Sequence, residues 1–356
     1  MVVGVVSRCR GVEGAARIVT RIALDARMTR RMSVGMRAYA TELMERLPRV
    51  APEYAYVPVG SGENFTWDEQ VALPLALWRS RASLAHFMSL YVPVLRPVPF
   101  VLTIHDLIHL RLPALHRRRV GPYYATVIRH ACARAARVIT DDAATVEDLE
   151  RFLGVPPRKV CVISLGVNER FFESCDPRPA PRPYLLYVGN HRPHKNLTTL
   201  FDAWSSLSER FPVDLYVTGP DDFAGALQAR SSDRRRIVAL GDLNDEQLRA
   251  AYAGARALVH PALCEGFGLP LLEAMAVGTP VVASAESTPG ILAQSVLRFP
   301  ARDARALQIA LEDLLADEGL RSRLVNQGKM VARAWSWDRC ARATANLYRE
   351  VLEESR

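Results

Sequence analysis

The sequence predicts an α/β protein of two halves, each a series of buried strands joined by helices. Three observations carry this. Short apolar runs that suit parallel strands alternate with amphipathic stretches at helical spacing along most of the chain. Several of these runs end in a glycine or a polar pair and pass at once into a helix, the usual form of a ligand-binding turn in an open α/β sheet. Residues 173–183, with four prolines in eleven positions, read as a semi-rigid linker between the halves. At 356 residues the chain is also too long for one small core.

Composition narrows the function classes. Apolar residues make up 49% of the chain and no apolar run reaches the roughly 18–20 residues a membrane span needs, so a globular, cytoplasmic protein is expected. Residues 1–18 lack the continuous apolar core of a signal peptide and read as a poorly ordered extension, or as translation from an upstream start codon. The six cysteines are scattered, which argues against a zinc site or a disulfide framework. The net charge is +8, and 43 of the 46 basic residues are arginine; only Lys159, Lys195 and Lys329 are lysine. Such basicity suits nucleic acid, an anionic membrane or a phosphorylated small molecule. Nucleic-acid motifs are missing, so no nucleic-acid partner is expected.

In the first half, Arg21–Arg27 reads as a strand, followed by a turn over 29–35 and a helix from near Met36 with Tyr39, Leu43 and Leu47 on one face. Gly35, between strand and helix, lets backbone approach a ligand. Residues 52–80 read as irregular apart from a strand at Tyr54–Val59. Ser83–Phe87 and Pro99–Ile104 are strands, and the second ends in His105-Asp106, at the carboxyl end where open sheets bind ligands. With His109 this pair could hold a metal, but no second carboxylate cluster supports one, and His109 reads as a loop residue. Arg111 to Arg137 contains seven arginines and no acid, interleaved with Tyr123, Tyr124, Val127, Ile128 and Ala131. A helix there has a basic and an apolar face, which fits docking on an anionic membrane or a core-facing helix with solvated cations. Val138–Thr140, a helix over 143–153 and a strand at Lys159–Ile163 close this half.

The second half opens with the apolar strand Tyr184–Val188 and Gly189. The loop 190–196 carries Arg192, His194 and Lys195 and runs into a helix with Leu197, Leu200, Phe201 and Trp204 at helical spacing. Strand, glycine, basic loop and helix together build a phosphate site. A lysine surviving at 195 in so arginine-rich a chain points to a need for a compact ammonium. Asp214–Thr218 and Ile237–Leu240 are strands, the latter followed by Gly241 and Leu243 and by a helix over 246–254. Strand Ala255–Val259 leads to Glu265-Gly266-Phe267-Gly268-Leu269. Pro270 then opens a helix that Gly278 ends, and Val281–Ala283 is the next strand. Glycines and a helix N-terminus converge where Glu265 and Glu273 frame them, an arrangement suited to a diphosphate. Residues 303–328 and 336–354 read as two closing helices.

The string Glu265-Gly-Phe-Gly-Leu-Pro, then Glu273-Ala-Met-Ala and Gly278-Thr-Pro-Val-Val, resembles the Glu–seven residues–Glu signature of family 4 retaining glycosyltransferases. Gly35-Met-Arg-Ala-Tyr39 is similar to that family's first loop, with Arg37 where a second glycine is usual. His105-Asp106 and Lys195 match its His-Asp pair and its diphosphate lysine. Thr140-Asp141-Asp142 departs from its usual serine after the threonine, and Thr288-Pro289-Gly290 lacks its glutamate. The resemblance implies the GT-B fold: two doubly wound Rossmann-like domains facing a cleft, here 19–172 on the acceptor side and 184–335 on the nucleotide-sugar side, with the helix 336–356 crossing back. It implies a nucleotide-sugar donor, GDP-mannose as first choice, a glycan or lipid-linked acceptor, and no cofactor or metal. Glu265, Lys195, Arg192 and His105 would do the chemistry. Glu273, Gly35, Gly189, Gly241, Leu243 and the run Gly266, Phe267, Gly268 and Leu269 would hold the donor, while Asp106 and Arg37 would face the acceptor. His105 would hydrogen-bond the sugar. The other reading is a non-catalytic nucleotide-sugar-binding homologue.

Overall fold

The computed structural model describes residues 19–30, 33–61, 64, 66–115, 120–219 and 236–355. The extension expected at 1–18 lies outside them, as do Arg117 to Arg119 of the arginine-rich stretch.

Twelve strands form two all-parallel sheets of six among the described residues. The first contains β1 (Arg21–Asp25), β2 (Ala55–Val59), β3 (Leu84–Phe87), β4 (Phe100–Thr103), β5 (Arg137–Thr140) and β6 (Val160–Val162), in the order β2-β1-β3-β4-β5-β6. The second contains β7 (Tyr184–Tyr187), β8 (Asp214–Thr218), β9 (Ile237–Gly241), β10 (Ala257–His260), β11 (Val281–Ser284) and β12 (Leu297–Phe299), in the order β12-β11-β10-β7-β8-β9. Residues of β3, β4, β7, β8, β10 and β11 are buried at every position. That is the pattern of strands covered on both faces, and it is why these segments are apolar runs rather than alternating ones. Strand order reverses between β1 and β3 in the first sheet and between β7 and β10 in the second. Ligands bind outside the carboxyl ends of strands at such reversals.

The segment expected to be irregular over 52–80 contains a helix instead, a π turn at Asp68–Ala72 continuing as Leu73–Ser80. Pro74 falls just after the π turn, where the Leu73 N–H already reaches back five residues to the Asp68 carbonyl, so the regular ladder is interrupted there and the missing N–H is tolerated. The helix expected over 303–328 is two, Ala304–Ala316 and Glu318–Arg333. Asp317 separates them and its carboxylate accepts from the Leu320 N–H. Strand β12 has only three residues and was not anticipated.

The last helix, Trp337–Glu354, packs on the helix Val34–Val50 of the first half. Arg46 on that first helix is held by Glu42, Glu169 and Asp338 together. Gly166 has to be glycine there, because a Cβ would lie 2.1 Å from the Trp337 nitrogen. One apolar cluster extends from Leu24 and Tyr39 through Phe267 and Leu271 to Tyr348, so the halves close on a shared core.

Candidate active site

The second sheet's reversal point builds one wall. After β7, Gly189 takes φ 150°, open only to glycine, and its N–H donates to Thr218 Oγ1 at 3.1 Å. The turn Pro193–Lys195 follows, and Asn196 sits in the left-handed region at φ 57°. The Asn196 amide donates to the carbonyls of Pro261 (3.0 Å) and Ala301 (2.6 Å), so the loop after β7 is tied to the loop after β10. This directs the buried Lys195 inward, where Nζ donates to Glu265 Oε2. His260, fully buried at the end of β10, brings Nε2 to 3.2 Å from the same oxygen. Burial alone would raise the Glu265 pKa, but the Lys195 ammonium and His260 outweigh it and hold the carboxylate well below its ordinary range. Burial holds His260 low, hence neutral near pH 7.

Gly268, at φ 77°, is the N-cap of the helix Leu269–Val277, and Phe267 beside it is buried. Glu273 lies in this helix. The hydroxyl of Tyr252 donates to its Oε2 at 2.9 Å, and burial pushes the Glu273 pKa up to about 7. Two glutamates eight positions apart thus have opposite shifts, one paired with a cation and one facing a phenol. Gly241 (φ 67°) ends β9 with open space where a Cβ would stand, and Leu243 is half-buried beyond it. Arg192 is exposed on the loop before Lys195, and its charge acts with burial to lower the His109 pKa, which places it opposite the first half.

The first half supplies the facing wall. A Cβ on Gly266 would meet the His105 carbonyl oxygen at 2.9 Å and Asp106 Cβ at 3.4 Å. That glycine is therefore what lets the two walls approach. Gly35, in the first turn of Val34–Val50, lies against Leu269, with Arg37 exposed two residues on. Asp106 accepts from the Ile108 N–H at 3.1 Å, and burial raises its pKa, with Glu265 adding repulsion. His105 has both ring nitrogens engaged inside the protein: Nδ1 at 2.7 Å from Asp141 Oδ2 and Nε2 at 3.1 Å from the Met88 carbonyl.

Sequence reasoning gave no role to His260, Tyr252, Asn196 or Asp141. His260 and Asp141 each sit where a strand delivers its next residue to the cleft, the only signal that could have found them. The arginine-rich segment turns its apolar face inward: Tyr124, Ile128, Ala131 and Cys132 are buried in the core. Arg111 pairs with Asp148 and also donates to Cys264, and Arg137 pairs with Glu354. An apolar face for a membrane is not offered by that helix. Among the described residues no helix is long and apolar enough to cross a membrane, and no group of three or more His, Cys, Asp or Glu residues is placed to hold a metal.

Known proteins share both halves. A profile described as Glycosyltransferase Family 4 matches residues 15–171, and one described as Glycosyl transferases group 1 matches residues 182–317. The O-antigen chain mannosyltransferase B of Escherichia coli is 28% identical over 265 residues, covering 70% of each chain. The O-antigen chain mannosyltransferase RfbU of Salmonella typhimurium is 29% identical over 196 residues, 54% of this chain and 53% of that one. Among solved structures, the sucrose-phosphate synthase of Thermosynechococcus elongatus superposes with a TM-score of 0.75 at 21% identity, over 94% of this chain and all of that one. WaaG, a glycosyltransferase involved in lipopolysaccharide biosynthesis, gives 0.69 at 17% identity over 92% of this chain and 99% of that one.

Proposed function

We propose that this chain, which belongs to the family 4 glycosyltransferases of GT-B fold, is a retaining hexosyltransferase that moves mannose from GDP-mannose to a glycan or lipid-linked acceptor in cell-surface polysaccharide synthesis. The observation that carries the reading is the pairing of Lys195 with Glu265 at the reversal point between β7 and β10, beside the helix N-terminus at Gly268. An ammonium has three N–H donors. With one on Glu265, two remain for the oxygens of a diphosphate, which the helix N-terminus also favours. Arg192 on the rim adds a further cation. Glu273, raised toward neutrality, accepts from the ribose hydroxyls, and Glu265 holds the sugar and stabilises positive charge near its anomeric carbon.

The two glutamates stand on one loop-helix unit rather than on opposite sides of a bond, as a glycosidase pair would. This favours front-face substitution. The bond from the anomeric carbon to the phosphate oxygen breaks, the bond to the acceptor oxygen forms on the same face, and the departing phosphate oxygen takes the acceptor's proton. No metal or cofactor enters the proposal. Mannose is supported by the relatives named O-antigen mannosyltransferases.

Purified protein incubated with a panel of sugar nucleotides and a lipid-linked glycan acceptor tests this. Nucleotide release and glycan extension with GDP-mannose are expected. Thermal stabilisation by a sugar nucleotide without any release would favour the non-catalytic binding reading instead.

Peripheral docking at the inner face of the cell membrane belongs to the same proposal, on a different surface from the arginine-rich helix. Trp67 (83% exposed), Val71, Leu75 and Trp78 (68%) form an exposed apolar stripe at helical spacing, with exposed Val94 and Leu95 tied alongside through Gln70. Arg79 and Arg81 are exposed beside it and Arg96 is half-buried, while Asp68 is the exposed acid on that helix. Cosedimentation with anionic vesicles is expected for the native chain and weakened on the order of tenfold by Trp67→Ala with Trp78→Ala. Equal binding by both proteins would remove the stripe from the proposal.

A further inference from the structure

We propose that Asp141 is a positioning residue that fixes His105 as an imidazolium, a hydrogen-bond donor at both ring nitrogens, on the first-half wall of the cleft. The geometry makes the argument. Nδ1 faces a carboxylate oxygen of Asp141 at 2.7 Å, and Nε2 faces the carbonyl oxygen of Met88 at 3.1 Å. A carbonyl can only accept, and so can an ionised carboxylate. Beside an ionised Asp141, a neutral imidazole, with its one N–H, would leave one of these contacts without a proton; burial raises the Asp141 pKa, and the charge and hydrogen bond of His105 act against that rise. The imidazolium satisfies both.

The ring has little freedom to escape this. Tyr39 packs edge-on against it at 4.8 Å between centroids. The Tyr39 hydroxyl is bonded to Thr103 Oγ1 at 3.0 Å, which also meets His86 Nε2 at 2.7 Å. His86 Nδ1 in turn meets the Tyr348 hydroxyl at 2.6 Å. The chain of contacts runs from the last helix to the ring that faces the donor. Asp141 lies at the end of β5 and is 1% exposed, and its second oxygen, Oδ1, has no hydrogen-bond partner among the described residues. Its bonding capacity therefore goes to His105.

Burial of Asp141 itself works against the ion pair, and the other charged and titratable neighbours work for it. Burial opposes a charge on His105, but Asp141 outweighs it, with Asp106 on the same loop adding to the effect, and the His105 pKa is raised overall. His86 on β3 is held down at about 3, by burial and then by the charge on His105, so it does not compete for the proton. Asp142 is committed to capping the helix Ala143–Leu153 through the Ala144 N–H at 3.2 Å. From the elements packed on the other side come Tyr39, Tyr348 and Cys340, whose pKa values burial pushes up and which stay neutral.

The position is also where the family resemblance leads one to expect serine. A serine hydroxyl can donate or accept, which would leave the ring either tautomer and an ordinary titration. Asp141 removes that choice. When a donor sugar enters, Nε2–H can exchange the Met88 carbonyl for a sugar or phosphate oxygen, as a donor only. This step rests on the transfer reaction proposed above, whereas the protonation state of His105 does not.

Two measurements test the inference. In long-range proton–nitrogen spectra of the folded protein, with His105 assigned through His105→Gln, the ring is expected to keep the imidazolium pattern above the ordinary histidine midpoint near 6.5, and Asp141→Ser to lower its midpoint by about one pH unit or more. A His105 that is neutral at pH 7 in the native chain, or that titrates alike in both proteins, overturns the proposal. Should Asp141→Ser fail to fold, the native titration still decides. In the second measurement, kcat for nucleotide release by Asp141→Ser is expected near native at pH 6 and about tenfold lower at pH 8, with Asp141→Glu partly restoring it. A pH profile parallel to the native one counts against the proposal. If the native chain releases no nucleotide from any donor, the transfer reading fails while the spectra still judge Asp141.

Discussion

The two walls of the cleft are built differently. On the second-half wall, Glu265, Gly266, Gly268 and Glu273 come from one continuous loop and helix, and Lys195 joins them from the strand on the other side of the reversal point. On the first-half wall, His105, Asp141, Met88 and Tyr39 come from the ends of three strands and from a helix, and they meet only because the sheet sets β3, β4 and β5 side by side. The second-half wall is shaped by local backbone geometry, with positive-φ glycines and a helix N-terminus. The first-half wall is shaped by side chains held in a buried hydrogen-bond chain that reaches the last helix. A change on the second-half wall should remove chemistry outright, and a change on the first-half wall should alter its pH dependence and fit.

The largest effect is expected at Lys195. Lys195→Ala removes a donor to the leaving diphosphate and should lower kcat by about 10²–10³. It also leaves the buried Glu265 carboxylate without its cation. The depressed Glu265 pKa makes its stabilisation present above the ordinary carboxylate range and lost as pH falls through the folded value. In Lys195→Ala that contribution shrinks, so the melting temperature at pH 7 should fall. Lys195→Arg should not restore turnover, since a planar fork does not fit the space of a compact ammonium. Native turnover in Lys195→Ala would mean that the second-half wall does not carry the chemistry.

Gly266→Ala tests both walls at once, because this residue belongs to one wall and is constrained by the other. Its added Cβ would press on the His105 carbonyl at 2.9 Å, backbone that cannot simply rotate away. The walls must separate by a few tenths of an ångström. A fall of about tenfold in kcat/KM is expected with unchanged circular dichroism. Unchanged kinetics would mean that the closed arrangement is not the one in which the reaction occurs.

The same contrast explains what could be read in advance. Strands such as Tyr184–Tyr187 and Val281–Ser284 are apolar at every position because parallel strands are covered on both faces, and they were found within a residue or so at each end. Lys195 and the Glu265 to Glu273 unit were visible because short-range spacing encodes them. The pairing of His105 with Asp141 spans 36 residues and depends on strand adjacency, and the sequence had marked Asp141 only as a departure from a pattern. His260, next after the strand expected at Ala255–Val259, went unremarked because nothing local says that its ring turns toward Glu265. The helix Leu73–Ser80 was not legible because nothing local says that a π turn precedes it and leaves Pro74 where its missing N–H does no harm. The apolar face of the arginine-rich helix could serve a membrane or a core equally well until the strands beneath it were in place.

The smallest expected effect concerns Glu273 and separates the two glutamates of one wall. With its pKa pushed up to about 7 by burial, Glu273 is roughly half ionised at neutral pH in the free protein. Accepting hydrogen bonds from ribose hydroxyls is favoured by the ionised form, so donor affinity should rise with pH through 7 and level off above it. Glu273→Gln keeps the size and an acceptor oxygen but cannot ionise. It should weaken donor binding by only about threefold at pH 8, less at pH 6, and lose the rise between them. Stability should move the other way. A carboxyl whose folded pKa is raised costs stability increasingly as pH climbs from its ordinary value toward the raised one, and the glutamine does not share that cost. The variant should therefore match the native melting temperature near pH 5 and exceed it at pH 8. Calorimetric titration with GDP-mannose at the two pH values, beside the two melting curves, checks both signs. A donor affinity that falls with pH in the native chain would place the proton, rather than the carboxylate, at the ribose.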